Sequence, residues 1–148
     1  MSQMEGTRGN RETMKLEIES RSSNEAFARV AVAAFMARLD PTVEEVEDVK
    51  TAVSEAVTNC VIHAYDGGQG IIGIETSVEG NTVEVVIRDS GVGIADVRKA
   101  MEPLYTGKPE AGRSGMGFSF MEAFMDEVEV ESRPGEGTTV VMRKKLGK

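Results

Sequence analysis

Glu55 and Asn59 are four positions apart in the stretch from Thr42 to Ala64, so on a helix their side chains stack on one face. A carboxylate and a carboxamide fixed on one rigid helix can serve as a general base and a metal ligand. Roughly opposite them an apolar stripe recurs at helical spacing, formed by Val46, Val49, Val53, Ala56, Val57, Cys60 and Ala64. The pattern is also typical of a solvated face on an amphipathic helix, so both interpretations stay open for this segment.

Asp89 stands directly after an apolar strand pattern and is followed by Gly91 and Gly93. The end of a strand is a rigid mount, and glycines allow a flat ligand to approach the backbone closely. A carboxylate in this position can accept a hydrogen bond from an exocyclic amine such as that of adenine. A common Asp-Gly turn is the alternative interpretation.

A third segment, residues 112–117 with the sequence GRSGMG, stands before a helical pattern. Glycines at a helix N-terminus expose backbone N–H groups, and this arrangement favours a phosphate ligand. Lys108 and Arg113 can neutralise phosphate charge, although a flexible loop that enters a helix has the same composition. The Walker-type loop, the dinucleotide-binding glycine pattern and the protein-kinase motifs are missing from the sequence.

The composition narrows the classes of protein to consider. The chain has 148 residues, of which 40% are hydrophobic and 28% charged, as expected for one globular domain. Its net charge of -8 disfavours direct nucleic-acid contact, which needs a basic surface. Cys60 is the single cysteine and is expected in the core of a protein in a reducing compartment. Neither a membrane-length apolar run nor a signal-type region is present, so we expect a cytoplasmic protein without membrane contact.

Two helices are predicted before the first hairpin. Ser22 and Glu25 predict a capping box for a helix that reaches about Leu39. Thr42 and Glu45 predict a second capping box for the helix that carries Glu55. The buried face of the first helix is expected to contain Phe27, Val30, Ala31, Ala34 and Phe35.

The remaining elements are predicted from short apolar runs and turn residues. Strands are predicted at residues 14–19, 71–79, 82–89, 128–132 and 138–144, with a hairpin turn at Gly80-Asn81. Helices are predicted at residues 95–101 and 115–125. Residues 102–114 have no periodic pattern, which is typical of a functional lid or a disordered loop. Residues 1–13 are polar and predict a disordered N-terminal extension, so residues 14–148 would form the single domain.

The order and spacing of the three polar segments carry a family resemblance. Together they resemble the ATP-binding fold shared by gyrase, the Hsp90 chaperones, histidine kinases and mismatch-repair ATPases. Within this superfamily the chain resembles the sporulation anti-sigma factors that inhibit sigma-F and act as serine kinases. The matching segments are 55–59 (EAVTN), 87–94 (IRDSGVGI), 113–118 (RSGMGF), 27–30 (FARV) and 39–42 (LDPT). The resemblance spans about residues 15–146.

The resemblance implies an α+β fold, a two-layer α/β sandwich of the Bergerat (histidine-kinase-like ATPase) type. Its sheet would be mixed and mostly antiparallel, with helices on one face. The implied function is a homodimeric anti-sigma factor that inhibits a sporulation sigma factor. It would also be a protein serine/threonine kinase that uses ATP and Mg²⁺ to phosphorylate a serine of an anti-anti-sigma protein. The alternatives are a related partner-switching kinase for a stress sigma factor and an ATP-dependent binding module without kinase activity.

The same resemblance implies roles for individual residues. Glu55 would be the general base, Asn59 would coordinate Mg²⁺, and Asp89 would bind the adenine amine. Arg29 would contact both the sigma factor and the anti-anti-sigma protein. The residues implied to hold ATP or ADP are Asn59, Asp89, Gly91, Gly93, Thr106, Lys108, Arg113, Ser114, Gly115, Met116 and Gly117.

Overall fold

An antiparallel sheet forms one layer of the protein. The computed structural model describes residues 10–65, 68–94, 96–97, 101 and 117–147. In these residues five strands lie in the spatial order β1-β2-β3-β5-β4, and every neighbouring pair is antiparallel. The strands are β1 (Arg11–Glu19), β2 (Ile71–Glu79), β3 (Thr82–Asp89), β4 (Glu127–Arg133) and β5 (Gly137–Lys145). The predicted hairpin is confirmed, because Glu79 pairs with Thr82 across the turn between β2 and β3.

Three helices in the described part of the chain cover one face of this sheet. They are α1 (Ser23–Met36), α2 (Val43–Asn59) and α3 (Gly117–Phe124), and α2 packs against both of the others. The core lies between the two layers, where Val83, Val85 and Ile87 point from alternate positions of β3 and are fully buried. Each such side chain contributes roughly 1.5–3 kcal/mol by its removal from water. The predicted α+β sandwich with helices on one face is confirmed.

The opposite face of the sheet carries charged side chains. Arg143 on β5 pairs with Glu84 at 2.8 Å and with Glu127 at 2.9 Å. Hydrogen bonds to Glu127 and Glu84 raise the pKa of Arg143 further above its usual value. Among the described helices, none combines the length and the apolar character that a membrane crossing requires.

The predicted capping box at the start of α2 is confirmed. Thr42 has an extended backbone, and its Oγ1 accepts a hydrogen bond from the Glu45 N–H at 3.0 Å. The Thr42 N–H donates in return to Glu45 Oε1 at 2.8 Å. The predicted apolar stripe is buried from Val49 onward, so its interpretation as the core face is also confirmed.

The predicted helix from Thr42 to Ala64 is regular only as far as Asn59. Residues Cys60–Ala64 form a π-turn, in which the Tyr65 N–H donates to the Cys60 carbonyl at 3.1 Å. Apolar periodicity does not distinguish the two helix types, because Cys60, Val61 and Ala64 are buried in either case.

The predicted buried face of α1 was wrong except at Phe35. Phe27 and Val30 are 54% and 55% exposed, and Ala28, Val32 and Met36 join Phe35 in the core. The helix is apolar on nearly every side, so the spacing fits more than one face. Of the predicted set only Phe35 is buried, while Ala31 is half-buried and Ala34 is exposed.

The predicted capping box at Ser22 was also wrong. Ser22 has helical dihedral angles (φ -55°, ψ -35°), and its side chain makes no capping hydrogen bond. Glu25 instead accepts hydrogen bonds from the Ser54 hydroxyl and from Arg29 Nη1. The acid that would complete the box is therefore used to join α1 to α2.

The first strand begins three residues earlier than the predicted Met14. Arg11, Glu12 and Thr13 pair with the end of β2, and the Thr13 hydroxyl lies 2.9 Å from Ser77 Oγ. Part of the expected N-terminal extension therefore belongs to the sheet. Residues 1–9, the predicted lid at 102–114 and most of the predicted helix at 95–101 lie outside the described residues.

Candidate nucleotide site

Asp89 ends β3, and its carboxylate is oriented by three hydrogen-bond donors. Oδ1 accepts from the backbone N–H groups of Gly91 at 2.9 Å and Thr138 at 3.2 Å. Oδ2 accepts from the Cys60 thiol, with an S···O distance of 3.4 Å. Because a thiol is a weak donor, Oδ2 retains the capacity to accept a stronger hydrogen bond from a ligand amine. The side chain is half-buried, which suits a fixed group that still meets a ligand.

Cys60 has a more specific environment than the predicted core position. It is 5% exposed and touches the Asp89 carboxylate. Burial and then the negative charge of Asp89 raise the pKa of the Cys60 thiol well above its usual value. The thiol therefore remains protonated at neutral pH and serves as a donor.

Gly91 and Gly93 lie against other parts of the backbone. A Cβ on Gly91 would overlap the carbonyl group of Ala64, and a Cβ on Gly93 would overlap that of Arg133. Val92 between them donates its N–H to the Ala64 carbonyl at 2.9 Å. The close approach of these backbone segments is sufficient reason for glycine at both positions. Their contact with a ligand stays a prediction.

Glu55 and Asn59 lie one turn apart on α2, and both are half-buried. The Asn59 amide faces Gly117, the first residue of α3. A Cβ on Gly117 would lie 3.1 Å from Asn59 Nδ2 and 3.2 Å from Asn59 Oδ1. The N-terminal end of α3, which is the end that favours anions, therefore adjoins the predicted magnesium ligand.

Described residues from each of the three polar segments lie together at the end of α2. Asn59 lies against Gly117, and the next residue, Cys60, contacts Asp89. The end of a helix, the end of a strand and the start of another helix are thus joined through two consecutive residues. Glu55 is on the same face as Asn59, one turn earlier.

Six of the predicted nucleotide-binding residues lie outside the described residues, and their roles stay predictions. They are Thr106, Lys108, Arg113, Ser114, Gly115 and Met116.

Tyr65 is a further residue of the site that the sequence motifs do not indicate. Its hydroxyl donates to the Ile71 carbonyl at 2.8 Å and accepts from the Ser90 N–H at 2.7 Å. It thereby joins the start of β2 to the residue that follows Asp89. An aromatic hydroxyl between the apolar stripe and a glycine turn was the available signal.

Ser132 and Thr138 are not indicated by the motifs either. Ser132 Oγ accepts from the Ile94 N–H at 2.7 Å and lies 2.7 Å from Thr138 Oγ1. These contacts fix the segment after Gly93 to the β4–β5 hairpin. No spacing rule indicates the contact between Ile94 and Ser132, because these residues are 38 positions apart along the chain.

Arg29 lies on α1 with its side chain 41% exposed, and it pairs with Glu25 at 3.2 Å. Phe27 and Val30, which lie near it in the sequence of α1, are exposed. We call these three residues the α1 patch. Exposed apolar residues beside a charged group are typical of surfaces that bind another protein.

Asn59 is the residue that fits the implied Mg²⁺. The described residues contain no group of three His, Cys, Asp or Glu side chains that could hold a metal ion. Mg²⁺ bound together with ATP takes most of its ligands from phosphate oxygens and water, so one protein oxygen is enough. The half-buried Asn59 amide beside the start of α3 can supply that oxygen.

Comparison with known proteins agrees with this geometry. The profile of the histidine kinase-like ATPase domain matches residues 18–144. The anti-sigma F factor of Clostridium kluyveri is 54% identical over 132 residues, which cover 89% of this chain and 93% of the relative. That of Caldanaerobacter subterraneus is 56% identical over 135 residues, covering 91% of this chain and 94% of the relative.

Two solved structures share the fold at low sequence identity. The RsbU and RsbW domains of Rv1364c from Mycobacterium tuberculosis superpose with a TM-score of 0.64 at 18% identity, over 91% of this chain and 32% of that one. The catalytic domain of histidine kinase ThkA superposes with a TM-score of 0.55 at 16% identity, over 91% of this chain and 96% of that one. The chain belongs to the histidine kinase-like ATPase domain family and, within it, to the anti-sigma F factors.

Proposed function

We propose that this protein binds and inhibits a sigma factor and, with ATP and Mg²⁺, phosphorylates a serine of an anti-anti-sigma antagonist. The observation that carries the proposal is the meeting of Asp89, Asn59 and Gly117 at the end of α2. A base-recognising acid, a metal-binding amide and a helix N-terminus are the groups that a magnesium-bound nucleotide requires. The identity of 54–56% to proteins named anti-sigma F factor supports the sigma-factor part.

Glu55 is the proposed general base. Its carboxylate would take the proton of the serine hydroxyl as the serine oxygen bonds to the γ-phosphorus of ATP and ADP leaves with the bridging oxygen. Phosphoryl transfer depends mostly on positioning and charge neutralisation, so a base fixed on a helix suits the reaction. Such a base contributes roughly 10²–10⁴-fold to the rate. Mg²⁺, when bound by Asn59, neutralises phosphate charge.

The kinase proposal is tested by incubating the protein with labelled ATP, Mg²⁺ and a candidate anti-anti-sigma protein. Glu55→Gln is expected to lower phosphate transfer by roughly 10²-fold or more and to leave ATP affinity nearly unchanged. Glu47→Gln is the matched control, because Glu47 is an exposed acid on the same helix. Unchanged transfer in Glu55→Gln would refute the assignment of the base. Tight ATP binding without transfer by the unaltered protein would favour a binding module.

The adenine role of Asp89 is tested separately by binding. Asp89→Asn replaces one acceptor oxygen by an N–H₂ donor that would face the ligand amine. Loss of a charged hydrogen bond of about 1.5–3 kcal/mol predicts an affinity for ATP that is lower by roughly 10–150-fold. Equal affinity in a calorimetric titration would contradict this role.

The α1 patch is the proposed contact for both protein partners. Arg29→Ala is expected to weaken binding of the sigma factor and of the antagonist, while ATP affinity stays unchanged. Arg21→Ala is the control, since Arg21 is 69% exposed just before α1. Equal partner affinity in both variants would remove Arg29 from the interface. The proposed homodimer is checked by sedimentation of the same samples.

A further inference from the structure

The π-turn at the end of α2 contacts the segment from Asp89 to Val92 three times. The Cys60 thiol donates to Asp89 Oδ2 at 3.4 Å, and the Tyr65 hydroxyl accepts from the Ser90 N–H at 2.7 Å. Between them along the turn, the Ala64 carbonyl accepts from the Val92 N–H at 2.9 Å. Gly91 lies so close to Ala64 that a Cβ would overlap its carbonyl group. The turn and this segment therefore fit together without room for a further side chain.

The turn itself is an irregular element. Its hydrogen bond runs from the Tyr65 N–H to the Cys60 carbonyl, so the two residues that contact the Asp89 segment by their side chains also close the turn. π-turns are rare and occur frequently at functional sites. The ring of Tyr65 also fills the space beside Gly70, where a Cβ would overlap it. The Tyr65 hydroxyl is thus held at a defined position relative to β2 and β3.

We infer that the π-turn is a positioning device for adenine recognition, in which Cys60 and Tyr65 orient Asp89 toward the exocyclic amine. This inference rests on the proposed binding of ATP. Cys60 directs Oδ2, the oxygen that has no backbone donor, and Tyr65 fixes the backbone at Ser90. The turn starts directly after Asn59. The same element therefore also sets the distance between Asp89, which would bind adenine, and the Asn59 amide, which would bind Mg²⁺. Neither side chain has to touch the nucleotide for this effect.

The test compares ATP with inosine triphosphate, which carries a carbonyl oxygen in place of the exocyclic amine. The dissociation constant for inosine triphosphate divided by that for ATP reports the orientation of Asp89. A general loss of folded structure weakens the binding of both ligands equally and leaves this ratio unchanged. Tyr65→Phe and Cys60→Ala are each expected to lower this ratio by roughly 2–10-fold, the factor for one hydrogen bond. Cys60→Ser keeps a donor and is expected to retain more of the ratio than Cys60→Ala.

Ser77→Ala is the matched control, because it removes a hydrogen-bonded hydroxyl from β2 that pairs with Thr13 of β1. Its ratio is expected to equal that of the unaltered protein. An unchanged ratio in both Tyr65→Phe and Cys60→Ala would overturn the inference while the proposed function stands. If the unaltered protein shows no preference for ATP, the adenine role of Asp89 and this inference fail together. Should Cys60→Ala fail to fold, the ratio in Tyr65→Phe decides.

Discussion

Two glycines with nearly equal φ angles allow a direct test of how the loop after Asp89 is held. Gly93 has φ 78° and Gly135 has φ 79°, both in the left-handed region. At Gly93 a Cβ would overlap the Arg133 carbonyl oxygen and lie 3.1 Å from the Pro134 Cα. At Gly135 no heavy atom beyond the adjoining residues lies within 4 Å of that position. Substitution by alanine therefore places a side chain at positive φ at both sites and adds a steric clash at only one.

The difference between the two variants measures the clash. The left-handed conformation costs an alanine about 1–2 kcal/mol, which is the loss expected for Gly135→Ala. Overpacking adds about 1–3 kcal/mol, so Gly93→Ala is expected to be less stable than Gly135→Ala by that amount. At about 2–4 °C per kcal/mol for a domain of this size, the melting temperatures should differ by roughly 2–12 °C.

Thermal and urea unfolding followed by circular dichroism provide the measurement. The two variants should also differ in ATP affinity, since the Gly135 N–H donates to the Val92 carbonyl at 2.7 Å and a displaced Gly93 would disturb that contact. Equal unfolding temperatures would mean that the β4–β5 turn moves away freely. The close fit of the loop against Arg133 would then not constrain Asp89.

Two further predictions follow from individual contacts. Gly117→Ala is expected to weaken binding of magnesium-bound ATP, because its Cβ would press on the Asn59 amide at 3.1 Å. The stability of Gly117→Ala should be equal to that of the unaltered chain or higher by up to about 1 kcal/mol, since alanine favours a helix. Gly73→Ala is the control for binding, because there is open space around Gly73. Hydrogen bonds from the backbone of Gly147 and Thr42 lower the pKa of Glu45. As the pH falls below 4.5, protonation removes the charged acceptor of these bonds and the unaltered chain loses stability. The stability of Glu45→Gln is expected to fall less over the same range. The stabilisation by Glu45 is present above the pKa that this residue has in the unfolded chain, and it is lost as the pH falls through its lower pKa in the folded chain. Glu44→Gln is the control, and identical acid unfolding of both variants and the unaltered chain would contradict the prediction.

The two capping-box motifs show what a local pattern can and cannot predict. Both have a hydroxyl residue followed three positions later by Glu, and only Thr42 forms the box. Thr42 follows Pro41 and has ψ 164°, which places its hydroxyl over the first turn. Ser22 has a helical ψ of -35°, and Glu25 is bound by Ser54 of another helix. A contact across 29 positions of sequence thus overrides a local preference.

In the candidate site, too, some features could be predicted from the sequence and others could not. Residue types and spacing indicate a possible role for each motif separately, and the family resemblance predicts that Asn59, Asp89 and Gly117 come together. The supporting contacts were not predictable, since Cys60, Tyr65 and Thr138 act on the loop through partners distant in sequence. Gly91 and Gly93 are predicted from the sequence to let a ligand approach the backbone closely. The structure shows that a side chain at either position would overlap the backbone of another segment, at Ala64 for Gly91 and at Arg133 for Gly93.

The error on α1 bears on function. Phe27 and Val30 have the spacing of a core face, yet both are exposed on either side of Arg29 along the helix. Phe27 and Val30 are three positions apart and so lie side by side on the helix, and grouped apolar residues at a surface mark interaction sites, which supports the α1 patch as a partner surface. Arg29 pairs with Glu25, and Glu25 also accepts the hydroxyl of Ser54, which directly precedes the proposed base on α2. A partner that draws Arg29 of α1 away from Glu25 would therefore change a contact made by Ser54 of α2, the residue next to Glu55.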